Sequence, residues 1–183
     1  GQNRPGTMAA VVGLEEIKIE EICSNFSNGV ACIANYNSSS QVVISGDVDS
    51  IKTVSPQLLD AGAMKVIPLN VSGAFHSPLM SSAREHLAEV LNSLEISNSI
   101  YPLFTNVNAI PITKGSDIKD SLIRQLEHPV LWSKSILAMK HSGIESFLEI
   151  GPGKVLQGLN KRIARTLPSQ GIAYYEQMEE NLV

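Results

Sequence analysis

Apolar and polar positions follow two different rhythms along this chain. Through residues 7–69, short β-rich runs alternate with helical ones. Residues 7–12 (TMAAVV) are short and apolar throughout, which predicts a buried strand. Residues 14–26 place Ile17, Ile22 and Phe26 at intervals that predict a moderately amphipathic helix. Asn28-Gly29 is a turn. Residues 30–36 and 41–45 are β-branched and apolar, with the turn residues Asn37-Ser38-Ser39-Ser40 between them, so they predict a hairpin. Asp47 is expected to cap a helix over 48–61 that Gly62 ends, and Pro56 inside it predicts a kink. Residues 65–69 read as a fourth strand. The order βαββαβ is the ferredoxin-like plan.

Beyond residue 70 single strands alternate with longer helices. Residues 72–78 form a loop, and 79–94 predict a helix with Ala83, Leu87, Val90, Leu91 and Leu94 on one apolar face. Residues 102–107 read as a strand. Asp117 is expected to cap the next helix, which carries Ile118, Leu122 and Leu126. Pro129 breaks that helix, and Trp132, Ile136 and Met139 line another. Residues 147–150 predict a short buried strand, and Gly151-Pro152-Gly153 turns into a helix over 154–167. The tail, 168–183, is weakly patterned and reads as a late strand or as disorder. The fold class is α/β, with a ferredoxin-like part at 7–70, a second α/β part at 71–167 and the tail.

Composition narrows the function. At 43% hydrophobic residues, the chain has enough apolar surface for a core. The formal charge of −4 and the lack of a basic run argue against nucleic-acid binding, whose affinity comes largely from phosphate neutralisation. No apolar stretch approaches transmembrane length, so no membrane role is expected. Two cysteines, Cys23 and Cys32, are too few for a disulfide framework or a zinc site, so no metal is expected and a reducing cytoplasm fits. The chain starts at Gly1 with structure following almost at once, which reads as a piece of something longer.

The loop Gly73-Ala74-Phe75-His76-Ser77-Pro78 lies between a strand and a long helix. A histidine there suits a general base, because imidazole titrates near working pH; the plainer reading is a ring satisfied by local backbone. Gly151-Pro152-Gly153-Lys154 lacks the glycine spacing and the Ser/Thr of a phosphate loop and reads as a structural turn. His141-Ser142-Gly143 reads as a helix end with Gly143 at C′. His86 is expected to be solvated, and His128 has no evident partner. The two cysteines are expected to be buried free thiols. Asn35 and Asn37 flank the hairpin turn, where turn chemistry is the default and ligand contact the alternative.

Six stretches together resemble the malonyl-CoA:acyl-carrier-protein transacylase family: MAAVVGL (8–14), IANYNSSSQVVISG (33–46), PLNVSGAFHSPLM (68–80), NVNAIP (106–111), IRQLEHPVLW (123–132) and EIGPGKVL (149–156). They keep the family's order and spacing over nearly the whole chain. The resemblance implies part of an α/β-hydrolase-like large subdomain with a ferredoxin-like small one inserted. It also implies a ping-pong transfer in which a serine takes malonyl from coenzyme A and passes it to the phosphopantetheine thiol of acyl carrier protein. His76 is then the base, and the main-chain carbonyl of Gln125 orients its ring. Phe75 narrows the pocket against an α-methyl branch, a preference worth about 1–3 kcal/mol. Asn35 and Asn37 lie near the acyl and pantetheine channel. No cofactor is implied beyond the coenzyme A thioester as substrate, and the complete protein is expected to act as a monomer.

The family's G-H-S-L-G nucleophile, its oxyanion-hole glutamine and its malonyl-pairing arginine are absent from these 183 residues. The chain alone is therefore expected to be inactive, with sheet edges around Phe104 and Phe147 left open. The alternative, from another class, is a non-catalytic module that docks carrier protein or a partner enzyme. It would use the basic residues Lys154, Lys161, Arg162 and Arg165; the plainer reading of these is a solvated helix face.

Overall fold

A computed structural model describes residues 4–177. They fall into two compact units, which divide between Ser135 and Ile136. In the first, strand β1 (Gly6–Val12) is followed by helix α1 (Glu16–Ser24), strands β2 (Ala31–Ser38) and β3 (Gln41–Asp47), helix α2 (Val48–Asp60) and strand β4 (Lys65–Pro68). The sheet order is β2-β3-β1-β4, antiparallel throughout. The βαββαβ order and its hairpin therefore appear as the apolar rhythm predicts.

The sheet is covered on both faces. Ala9 and Val11 of β1 join Val42 and Ile44 of β3 against Ile19 of α1 and Ile51, Val54 and Leu58 of α2. Met8, Ala10, Ala34 and Val43 form a second cluster. Burial of alternate residues in two clusters explains why β1 reads as an unbroken apolar run. Strand β2 has register shifts at Ile33/Asn35 and Tyr36/Ser38, and the first of them puts Ile33 and Tyr36, three apart, into one cluster.

The helix expected over 48–61 forms, with Pro56 inside it and its end at Asp60. Other local expectations are revised. Asp47 occupies the N-cap position, but its carboxylate turns elsewhere. It accepts from the Arg4 guanidinium (2.7 Å from Nη2), from the Val30 N–H at 2.7 Å and from Ser50 Oγ at 3.4 Å. Cys23 is buried, Cys32 only partly, and both are free. Burial, reinforced by the neighbouring Cys32, pushes the Cys23 thiol up to about 12, and burial alone takes Cys32 to about 11.

The first unit continues with a 3₁₀ turn (Pro78–Met80), helix α3 (Ser81–Ser93), two short antiparallel strands β5 (Leu103–Phe104) and β6 (Pro111–Ile112), and helix α4 (Gly115–Arg124). The strand expected over 102–107 stops after Phe104, because the chain turns at 105–108 and Ala109 takes a φ of 53°. The apolar stripe of α3 is at most half-buried, and Val90 and Leu94 are exposed. Asp117 does not cap α4. It sits in the first turn, while the side chain of Asn98 accepts the Gly115 N–H at 2.9 Å. Gly115 is required there, since a Cβ would lie 1.8 Å from the Ile96 carbonyl oxygen. Helix α5 (Trp132–His141) follows in the chain.

In the second unit α5 ends in a Schellman motif: Gly143 N–H to Lys140 O (3.1 Å), Ile144 N–H to Met139 O (3.2 Å), and Gly143 at φ 89°. Strand β7 (Phe147–Ile150), helix α6 (Val155–Ile163) and strand β8 (Ser169–Ile172) form a parallel β-α-β unit. The tail thus contributes a strand, and its last residues, 178–183, lie outside those described. Strand β7 is not buried as expected. Among the described residues it has one neighbour, β8, and Leu148 and Ile150 are exposed. The helix over 154–167 is shorter, and Glu149 serves its first turn by accepting the Leu156 and Gln157 N–H groups at 3.1 Å each. Desolvation raises the Glu149 carboxyl, but these donors and the Gln157 amide outweigh it and hold it below its ordinary value.

The Asp47 node yields a pH test. The Arg4 guanidinium first, then the Val30 N–H, hold the Asp47 carboxyl below its ordinary value against the opposing pull of desolvation. Its contribution is complete above the unfolded value of about 3.9 and is lost as pH falls through the lower folded one. Asp47→Asn is expected to cost on the order of 1 kcal/mol at neutral pH, in urea unfolding, because Arg4 is largely solvated. The gap to the wild type is expected to close below about pH 4.

Candidate active site

Within the first unit, the loop between β4 and the 3₁₀ turn folds back on itself. The fully buried Ser77 donates its hydroxyl to the Ala74 carbonyl at 2.7 Å and accepts the Leu79 N–H at 3.3 Å. These bonds close the turn of residues 74–77, with Phe75 and His76 at its tip. Phe75 is 38% exposed, and His76 is half-buried. Ser77 is thus occupied by the loop's own backbone and is no candidate nucleophile. His76 adopts a φ of 58°, the left-handed region that a residue with a side chain seldom takes. Strain of this kind persists only where its surroundings over-determine it. Part of that surrounding is Gly6 of β1, where a Cβ would meet the Ala74 Cβ at 2.6 Å and the Ala74 nitrogen at 2.8 Å.

The imidazole meets the end of α4. His76 Nδ1 lies 2.7 Å from the main-chain oxygen of Gln125, 49 residues further on. A carbonyl oxygen can only accept, so Nδ1 carries the proton and Nε2 keeps its lone pair. Gln125 is the C-cap of α4, and its carbonyl is one of those the helix leaves unpaired. The negative end of the helix dipole lies there as well. His76 and Gln125 are thus brought together as one unit, able to take up a proton on Nε2 while the carbonyl steadies the cation.

The other three histidines also place Nδ1 on a carbonyl, but always one four residues back: His86 on Ser82 (2.8 Å), His128 on Arg124 (2.8 Å) and His141 on Leu137 (2.7 Å). His86 is exposed, as expected, while His128 does have a partner. Asn35 and Asn37 lie on β2, beside its register shifts. The Tyr36 N–H bonds to the Val130 carbonyl (2.9 Å) and the Val130 N–H to the Ala34 carbonyl (2.8 Å), so this edge abuts the segment five residues past Gln125. Among the described residues, no hydrogen bond joins the side chain of Asn35 or Asn37 to His76 or Gln125. Nor is any group of three or more His, Cys, Asp or Glu placed to hold a metal ion.

Sequence reasoning missed the supports of the pair. Arg84 of α3 pairs with Glu127 at 2.7 Å, and Asn106 bonds to the Gln125 side chain at 3.1 Å. Asn106 stands in the NVNAIP stretch, but nothing in its spacing marks it out. Gly6→Ala tests the fit of the loop: it is expected to cost about 1–3 kcal/mol through overpacking and to displace residues 74–76. The measurement is urea unfolding together with the amide NMR shifts of residues 74–77, which are expected to move further than those of α1.

Known proteins give the pair a context. The family model for the acyl transferase domain matches residues 2–178. A malonyl CoA-acyl carrier protein transacylase of Bacillus subtilis is 38% identical over 176 residues, spanning 95% of this chain and 56% of that protein. One from Escherichia coli K12 is 39% identical over 168 residues, 91% of this chain and 54% of its own length. The crystal structure of an acyl carrier protein S-malonyltransferase from Vibrio cholerae superposes with a TM-score of 0.91 at 37% identity, covering 96% of this chain and 58% of that one. A malonyl-transacylase in complex with a holo type II PKS acyl-carrier protein gives 0.92 at 32% identity, with 97% and 58% covered. The chain therefore spans somewhat over half the length of these relatives. With the match running from residue 2 to residue 178 and the backbones agreeing over almost all of that span, this α/β chain belongs to the acyl transferase domain family.

Proposed function

We propose that this chain supplies the general base of a malonyl transfer from coenzyme A to the phosphopantetheine thiol of an acyl carrier protein. One observation carries the reading: the 2.7 Å contact from His76 Nδ1 to the Gln125 carbonyl, which leaves Nε2 as a lone-pair base at a loop tip. The reaction needs a nucleophilic serine, which we assign to a part of the complete protein other than these residues. In the first half-reaction Nε2 takes the serine hydroxyl proton as the oxygen attacks the malonyl thioester carbonyl. The C–S bond then breaks, and coenzyme A leaves as a thiol carrying the proton that His76 returns. In the second half-reaction the carrier-protein thiol gives its proton to Nε2, its sulfur attacks the serine ester, and the serine oxygen is reprotonated. The ring cycles between neutral and cationic forms, and the Gln125 carbonyl serves both.

Phe75, beside the base and partly exposed, forms a wall of the acyl pocket in this reading, and Asn35 and Asn37 contribute polar contacts toward the pantetheine arm. A neutral partner for the imidazole suits a substrate that itself carries a carboxylate. No helix among the described residues is long and apolar enough to cross a membrane. The substrates and the free thiols of Cys23 and Cys32 fit action in the cytoplasm.

The test uses a single polypeptide that joins the unmatched N-terminal part of the Bacillus subtilis relative to this chain. It is expected to gain a malonyl-sized mass from malonyl-CoA and to pass it to holo acyl carrier protein. His76→Ala is expected to lower the rate of both steps by a factor of about 10² to 10⁴. Phe75→Ser is expected to raise methylmalonyl use by about 10-fold or more relative to malonyl. A His76→Ala protein that still transfers malonyl at the parent rate would remove the base from this reading. Carrier-protein binding by the chain, with no acylation of the joined protein, would favour a docking module.

A further inference from the structure

Asn106 holds the segment that carries the partner of the imidazole at both of its ends. Its side-chain amide donates to Gln125 Oε1 at 3.1 Å, and its main-chain carbonyl accepts the Leu131 N–H at 2.8 Å. From the same turn, the Asn108 amide donates to Ser121 Oγ at 3.2 Å, and the Ser121 carbonyl accepts the Gln125 N–H at 3.0 Å. One turn between β5 and β6 therefore grips the last turn of α4 and the loop beyond it.

The grip bears on the carbonyl that His76 uses. A C-cap carbonyl lies past the hydrogen-bonded ladder of its helix, so the helix leaves its rotation free. The Gln125 N–H bond fixes one side of the residue and the His76 bond the other; the side-chain bond to Asn106 adds a third point. Without it, the peptide after Gln125 is free to swing, and a hydrogen bond weakens steeply once its angle departs from linear.

We propose that Asn106 is a positioning residue for the base. It holds the Gln125 carbonyl toward His76 Nδ1 and so keeps the ring as the Nδ1–H tautomer, with Nε2 free to accept a proton. The proposal rests on the reading of His76 as that base. It adds a residue that touches neither substrate nor ring.

The test is made on the full 183-residue chain, labelled with ¹⁵N, by NMR of the histidine rings. In the wild type, His76 is expected to show the Nδ1–H tautomer with a slowly exchanging ring proton. In Asn106→Ala, His76 is expected to shift to the Nε2–H form that imidazole prefers in water, with that slow proton lost. His86 and His141 bond to carbonyls of helices outside this segment and stay unchanged, which serves as the internal control. Gln125→Ala keeps the carbonyl and deletes only the side-chain acceptor, so it is expected to give the same shift. It decides the matter should Asn106→Ala fail to fold. Asn106→Asp can accept from a Gln125 amide turned end for end, and is expected to restore the wild-type tautomer. In the joined polypeptide, Asn106→Ala is expected to lower kcat by about 10-fold, with KM for malonyl-CoA unchanged. A folded Asn106→Ala or Gln125→Ala protein with an unaltered His76 ring overturns this proposal and leaves the base reading standing. A wild-type ring protonated on Nε2 overturns both.

Discussion

A single hydrogen bond, from the ring of His76 to the peptide oxygen of Gln125, links two segments that the chain keeps 49 residues apart. Each segment is stiffened on its own side. At residue 76 the backbone is forced into the left-handed region, Ser77 closes the loop beneath, and Gly6 admits the loop against β1. At residue 125 a helix ends, and Asn106 and Ser121 hold the final peptide. A contact of this length stays well aligned only if neither side gives. The packing on both sides can therefore be read as the means of keeping one ring in one tautomer.

The identity of the acceptor also has consequences. A carboxylate in place of the Gln125 carbonyl would fix the same tautomer but would add a full negative charge to the site. A peptide oxygen at a helix C-terminus offers a partial charge instead. That suffices to steady an imidazolium as it forms, because a hydrogen bond strengthens when its donor becomes ionised. In a site that receives a dicarboxylic acyl group, as we propose, the weaker charge avoids repelling the substrate. The arrangement costs precision, because a partial charge acts over a short range and the geometry must be kept by neighbours. Asn106 is the neighbour best placed to keep it.

Legibility from sequence followed the range of the forces involved. The four-stranded sheet was readable because its signals are local: unbroken apolar runs, a serine-rich turn and a helix between Asp47 and Gly62. The His76–Gln125 pair came only through resemblance, since nothing in the spacing of residues 76 and 125 announces a contact. Asp117 reads as a cap, but the acceptor of the Gly115 N–H is Asn98, which comes from a separate segment. The strand over 102–107 failed for a similar reason: its β-branched residues fit a strand, but the chain turns after Phe104. Asp47 stands where a cap should stand, yet its carboxylate serves Arg4 and the Val30 N–H, a choice made by tertiary contacts. Burial of β7 was overestimated because an apolar run says nothing about how many neighbours a strand has.

The four histidines show how a structural ring differs from a chemical one when local geometry is the same. All four place Nδ1 against a main-chain oxygen at 2.7–2.8 Å, so distance alone cannot separate them. Three use the carbonyl four residues earlier, an acceptor of their own helical segment that needs no other part of the fold. His76 passes over local acceptors, takes up a strained backbone and reaches an acceptor that requires the fold to be complete. A bond of that kind forms only when both segments are already in place, so it reports on assembly as well as on protonation. The ring that depends on the whole unit is also the one at a loop tip beside a partly exposed aromatic side chain. That coincidence of long-range dependence and accessibility is what supports the proposal of His76 as the base.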